Sequence, residues 1–153
     1  ADEGICAALW ADWWGFKHEA YDMTIANIAI VDQARGGKGC AIVHSDSASG
    51  IQRLNQEAAK ALAAGRKAGF EISEGRAMTW LTKNPAKSLG ILDQTGTLEQ
   101  GKDADLVIWD GNPFSVYTKA EQVYIDGALV FDKATDFMPH TDFDLGVKEW
   151  EDK

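Results

Sequence analysis

His44 and Asp46 are the residues of this chain whose types and spacing suit chemistry. A carboxylate can move protons or bind a metal, and an imidazole can do both near neutral pH. The two residues close the run Gly39-Cys40-Ala41-Ile42-Val43-His44-Ser45-Asp46, which passes into the polar turn Ser47-Ala48-Ser49-Gly50. Cys40 to Val43 read as a short strand buried on both faces, as in a parallel sheet. Side chains alternate along a strand, so Ile42, His44 and Asp46 share one side, and Ala41, Val43 and Ser45 the other. Helical spacing begins at Ile51. Strand, polar loop and helix in that order form one unit of an α/β fold, and such folds build sites at the carboxyl ends of their strands. The same residues admit a plainer account. Asp46 would then tighten the turn or cap the next helix, and His44 would be a satisfied interior histidine.

The elements that must position this pair lie on both sides of it. Ile5 to Trp10 is a second short apolar run, readable as a buried strand although alanine-rich. The aromatic loop from Ala11 to Tyr21 follows, with Trp13, Trp14 and Phe16 inside it. Rings at a strand end either line a substrate pocket or pack over the end of a core. Asp22 is a candidate N-cap, with Met23, Ala26, Ile30 and Val31 at helical spacing up to Ala34. Arg35 to Gly39 should end that helix. Leu54 to Lys67 reads as an alanine-rich helix with a narrow face of Leu54, Ala58, Ala61, Leu62 and Gly65. A further helix is expected from Ser73 through Trp80 and Leu81, stopping at Asn84-Pro85, with a short helical turn from Pro85 to a glycine stop at Gly90. Strands alternating with helices imply a parallel sheet with right-handed crossovers.

After Gly90 the character changes to short β-type segments at Gly96–Leu98, Ala104–Trp109, Gln122–Ile125 and Ala128–Phe131. Asp126-Gly127 is a two-residue hairpin signal. These strands are too few for an independent sheet, so something else must pair with them. The tail from Lys133 to Lys153 is acidic and reads as a docked arm or a frayed end.

Composition bounds the partners. The 153 residues carry a formal net charge of −9, which argues against nucleic acid and anionic membranes, since both need a basic face. No apolar run approaches the length of a membrane span, and no signal peptide is visible. Cys6 and Cys40 are too few and too isolated to imply a disulfide framework, and read as small buried hydrophobes.

Several segments now combine. Trp80-Leu81-Thr82-Lys83-Asn84-Pro85-Ala86-Lys87-Ser88-Leu89-Gly90 is followed by Thr95-Gly96-Thr97-Leu98-Glu99-Gln100-Gly101-Lys102-Asp103-Ala104-Asp105-Leu106-Val107, then by Asn112-Pro113-Phe114 and Val123-Tyr124-Ile125-Asp126-Gly127. This pattern resembles the carboxyl-terminal portion of metal-dependent amidohydrolases, in particular the imidazolonepropionase-like and Xaa-Pro-dipeptidase-like branch. The resemblance covers nearly the whole chain. It implies an α/β architecture: residues 1–90 as the last strands and helices of a (β/α)8 TIM-type barrel, 91–132 as the returning half of a small composite β-sandwich, and 133–153 as a tail. The Ile5 run would be the seventh barrel strand and the Cys40 run the eighth. A barrel needs about 250 residues. The family's His-x-His, its bridging lysine or glutamate and its two later histidines have no counterpart here, so the true amino terminus is expected upstream of Ala1.

The resemblance implies hydrolysis of amide or peptide C–N bonds, Xaa-Pro dipeptides among them, by a metal-activated water. The divalent metal would be zinc, one or two ions, held mostly by residues absent from this chain. Asp46 would bind metal and carry the proton of the water. Trp14, Tyr21 and His44 would contact the small amide or peptide substrate. The missing barrel strands would come from an amino-terminal portion or a second chain, and the open strand edges, with Val43 and its neighbours facing water, favour a homo-oligomer. Two other readings stay open: a non-catalytic binding or assembly module with the aromatic loop as its contact surface, and a truncated fragment inactive alone.

Overall fold

The computed structural model describes residues 1–135. Most of the acidic tail, including His140, lies outside the described residues. The elements are β1 (Cys6–Leu9), α1 (Asn27–Gly37), β2 (Cys40–Val43), α2 (Leu54–Lys67), α3 (Glu74–Met78), α4 (Lys83–Leu89), β3 (Leu106–Trp109), β4 (Ala120–Ile125) and β5 (Ala128–Asp132). β1 and β2 run parallel, from Cys6 opposite Cys40 to Leu9 opposite Val43, and α1 makes the crossover. The pairing extends one step further, where the His44 N–H donates to the Leu9 carbonyl at 3.1 Å.

The two faces of this pair differ. Ala41 and Val43 are buried with Ile28, Ala29, Ala58, Ala61, Leu62 and Trp80 in the apolar core. On the other face Ala8 is exposed, and Ile42 and His44 are half-buried. The expectation of a strand buried on both sides therefore holds for Ala41 and Val43 on the face that meets the helices and for Cys40 on the other, while Ile42 is only half-buried; among the described residues the helices are the one layer packed on the pair.

Helix α1 starts at Asn27, five residues after the expected cap at Asp22. The Asn27 side chain explains the shift: its amide donates to the Trp10 carbonyl at 3.0 Å and its oxygen accepts from the Ile28 N–H at 2.6 Å. Helix α2 spans the expected residues, with Ala58, Ala61, Leu62 and Gly65 buried. A Cβ on Gly65 would lie 2.5 Å from the Ala29 Cβ, so the small-residue face is what lets α2 approach α1. Ser73 caps α3 by accepting from the Arg76 N–H at 3.1 Å. The chain then tightens into i→i+3 turns through Leu81 rather than continuing as one helix. Pro85 does not stop a helix; it sits in the first turn of α4, where its missing N–H costs nothing, and Gly90 closes α4 in the left-handed conformation.

A buried carboxylate ties these pieces together. Asp32 is fully buried, and its Oδ1 accepts from the Trp80 Nε1 and from the Arg76 Nε, both at 2.8 Å. Arg76 also donates to the carbonyls of Gly37 at 2.8 Å and Gly39 at 3.2 Å, fixing the turn that leads into β2. Trp80 then meets β2 directly: its carbonyl accepts from the Val43 N–H at 3.2 Å, and the Asn84 amide donates to the Ala41 carbonyl at 2.7 Å. The expected open edge at Val43 is thus covered from within the chain, and Val43 does not face water.

The cysteines also correct the sequence reading. Cys6 and Cys40 form a disulfide with Cα atoms 4.5 Å apart. Their separation of 34 residues in sequence hides that the α1 crossover makes them neighbours across two strands. Closing a loop of that size restricts the unfolded chain by about 3–4 kcal/mol on the chain-entropy account.

A separate antiparallel sheet has the order β3-β4-β5. Asp126 and Gly127 join β4 to β5 with φ of 51° and 75°, the positive pair that a type I′ hairpin requires. Gly96–Leu98 is a loop and not the expected strand; the Lys102 ammonium holds it by donating to the Leu92 carbonyl and the Thr97 hydroxyl, each at 2.6 Å. The sheet leaves Val107, Ile108, Ile125, Leu129 and Val130 exposed. Its connecting loop meets the helical body through Asn55 donating to the Pro113 carbonyl at 2.6 Å and Asn112 donating to Glu74 at 3.0 Å.

Replacing Asp32 by Ala should cost about 2–4 kcal/mol, because the Trp80 N–H is left buried without an acceptor and Arg76 loses its carboxylate. Urea unfolding checks this. Gly65→Ala should cost about 1–3 kcal/mol in the same measurement by forcing α2 away from Ala29.

Candidate functional site

Parallel strands put the loops that follow them at one end. Ala8 pairs with Ile42, so two residues on, Trp10 and His44 stand side by side on the face opposite the helices. Their rings stack with centroids 5.3 Å apart and planes at 26°. Trp13 stacks on Trp10 at 5.6 Å and 18°, and Phe16 meets Trp13 edge-on at 4.7 Å. Trp14 and Tyr21 form a second pair at 6.2 Å, and both are open to solvent, 57% and 66% exposed. The aromatic loop therefore divides in two. Trp10 and Trp13 stack beside His44, Phe16 meets Trp13 while itself largely exposed, and Trp14 and Tyr21 form the other exposed pair. His44 is brought into the first group; Trp14 and Tyr21 contact each other.

Asp46 lies two residues beyond His44, exposed, with φ of 52°. Its backbone has left the pleat, so strand alternation no longer sets its direction. A non-glycine residue in the left-handed region is strained, and such residues gather at functional sites. Neither plain account of Asp46 fits. The Gly50 N–H donates to the Ser47 hydroxyl at 3.1 Å, and the Ser45 hydroxyl donates to the Ser47 carbonyl at 3.1 Å, so the serines tighten this turn. Among the described residues the Asp46 carboxylate accepts no hydrogen bond and joins no ion pair. His44 is not a hydrogen-bonded interior histidine either; its ring contact is the stack on Trp10.

The described residues hold no group of three His, Cys, Asp or Glu side chains able to bind a metal. Catalytic zinc takes three protein ligands and an open position, and both cysteines are committed to the disulfide. These residues do not build a metal centre by themselves; Asp46 is at most one ligand of a larger set.

Sequence reasoning missed two participants. Trp10 follows β1 just as His44 follows β2, a parity that was available in the spacing. Its Nε1 is buried without a hydrogen-bond partner among the described residues. Asp32 looks like an ordinary solvent-facing charge, yet its i, i+4 relation to the core residue Ile28 places it on the buried stripe.

The profile of the amidohydrolase family matches residues 26–139. The chain belongs to the amidohydrolase family. Amidohydrolase tasK of Hapsidospora irregularis is 33% identical over 126 residues, 82% of this chain and 12% of that protein. The imidazolonepropionase of Brucella suis is 49% identical over 55 residues, 36% of this chain. Among solved structures, an amidohydrolase from Thermotoga maritima MSB8 superposes with a TM-score of 0.62 and 37% identity over 76% of this chain and 28% of that one. Guanine deaminase of E. coli, 22% identical with a TM-score of 0.52, shares the fold. This amidohydrolase chain thus spans about 12% of the curated relatives and 28% of the Thermotoga structure. Its α/β fold is that of the amidohydrolases, within the TIM-barrel superfamily.

Replacing Asp46 by Gly should leave stability unchanged or raise it by up to about 1 kcal/mol, since the left-handed conformation costs glycine nothing. A urea melt that shows a loss instead would mean that the carboxylate supports the turn.

Proposed function

We propose that this chain is part of a metal-dependent hydrolase of amide or peptide C–N bonds, in which Asp46 handles the proton of the attacking water. The observation that supports this most directly is Asp46 itself: a strained, exposed carboxylate without a local partner, at the carboxyl end of the second of two parallel strands. As general base Asp46 accepts a proton from the water, and as general acid it passes that proton to the leaving nitrogen.

The family is generally metal-dependent. Zinc, one or two ions, is the metal of this proposal, with most ligands outside the 153 residues. The remaining strands come from an amino-terminal portion or from a second chain, and the complete enzyme is a homo-oligomer. In the same reading β3, β4 and β5 form half of a composite β-sandwich, which fits the exposed apolar residues of that sheet. His44 borders the substrate, and the projecting pair Trp14 and Tyr21 contacts its apolar part, a ring such as that of an Xaa-Pro dipeptide. That same exposed pair also supports a second reading, a non-catalytic module that docks through the aromatic loop.

In the complete enzyme Asp46→Asn should lower kcat by about 10²–10⁴-fold with circular dichroism unchanged; retention of a tenth of the rate would overturn the assignment. Trp14→Ala should raise KM while leaving bound metal unchanged. Metal analysis separates the two readings: the hydrolase retains about one or two divalent ions per complete site, and the docking module retains none.

A further inference from the structure

Cys6 and Cys40 occupy one register position of the parallel pair, three residues before its carboxyl end. They share a face with Ala8, Ile42, Trp10 and His44, so the disulfide and the aromatic stack lie at opposite ends of the same surface. The pair is short, four residues on each strand. β2 is anchored on its outer side by Trp80 and Asn84. β1 has no such support: Ala8 is exposed, Cys6 is half-buried, and no described strand lies on its outer side. Among the described residues, the covalent bond thus joins the strand that has an outer partner to the one that has none.

We propose that the Cys6–Cys40 bond is a redox-dependent staple, formed in an oxidising compartment, that holds β1 beside β2. Formation proceeds by exchange with a disulfide donor, either glutathione disulfide or a protein disulfide. One cysteine thiolate attacks a donor sulfur, giving a mixed disulfide and releasing the first donor thiol. The second cysteine thiolate then attacks the mixed disulfide and releases the second donor thiol. The chain loses two electrons and two protons, and the donor becomes two thiols. Cytosolic thiol pools keep such pairs reduced, so the staple assigns the folded chain to an environment that supplies this donor. The inference stands apart from the hydrolytic reading, since it requires no turnover.

The test uses the full 153-residue chain equilibrated with glutathione disulfide. Non-reducing peptide mapping should recover a Cys6–Cys40 linked peptide from a protein two hydrogens lighter than the reduced chain. Reduction with a phosphine should lower Tm by roughly 10 °C. It should also speed hydrogen exchange in peptides spanning residues 6–9 and 40–44 more than in those from α2. The double variant Cys6→Ser/Cys40→Ser should not respond to the phosphine. Alkylation of both cysteines in the native, glutathione-treated chain would overturn the proposal, as would a Tm and exchange pattern indifferent to reduction. If the double variant does not fold, peptide mapping and the wild-type response decide alone.

Discussion

The Asp32 carboxylate is the constraint on which the rest of this structure depends. A buried charge is tolerated only when its neighbours satisfy it, and here they come from distant parts of the chain. Trp80 and Arg76 lie 48 and 44 residues away in sequence. Meeting the needs of one carboxylate therefore sets α3 against α1, fixes the turn into β2 and brings the Trp80 backbone to the Val43 N–H. The apolar core would stabilise many arrangements of these helices. Asp32 selects one, because any other leaves a charge in an apolar interior.

That selection bears on the candidate site through β2. The strand is held on its helical face by the core, on one edge by β1 and on the other by Trp80 and Asn84. His44 leaves this frame one residue past its end, and Asp46 three. The regular part stops at Val43, and the backbone departs from strand geometry at Asp46, whose carboxylate has no partner among the described residues. Ser45 and Ser47 carry the turn, which leaves Asp46 unengaged.

Much of the chain's local structure is legible in its residues. The α2 stripe, the Ser73 cap, the Gly90 stop and the Asp126-Gly127 hairpin each follow from local rules that tertiary structure did not override. The misses share a cause, which is contact between distant segments. Asn27 moves the start of α1 because the Trp10 carbonyl is within reach of its side chain. Pro85 becomes a first-turn residue because the chain had already left α3. The disulfide is invisible in two cysteines 34 residues apart until the crossover joins them. In the site, the paired carboxyl ends of β1 and β2 were readable from alternating strands and helices. The left-handed backbone at Asp46 was not, since no local signal announces it.

The cover that Trp80 and Asn84 place over β2 gives the small parallel sheet a direction of growth. The Val43 N–H and the Ala41 carbonyl are already spoken for, so an incoming strand gains nothing there without first evicting the segment between α3 and α4. Among the described residues, extension beside β1 meets no such competitor. A parallel pair blocked on one flank can take a further strand only on the other. Among the described residues the parallel pair is thus open to a further strand on one flank alone, and that polarity comes from one carbonyl and one side-chain amide.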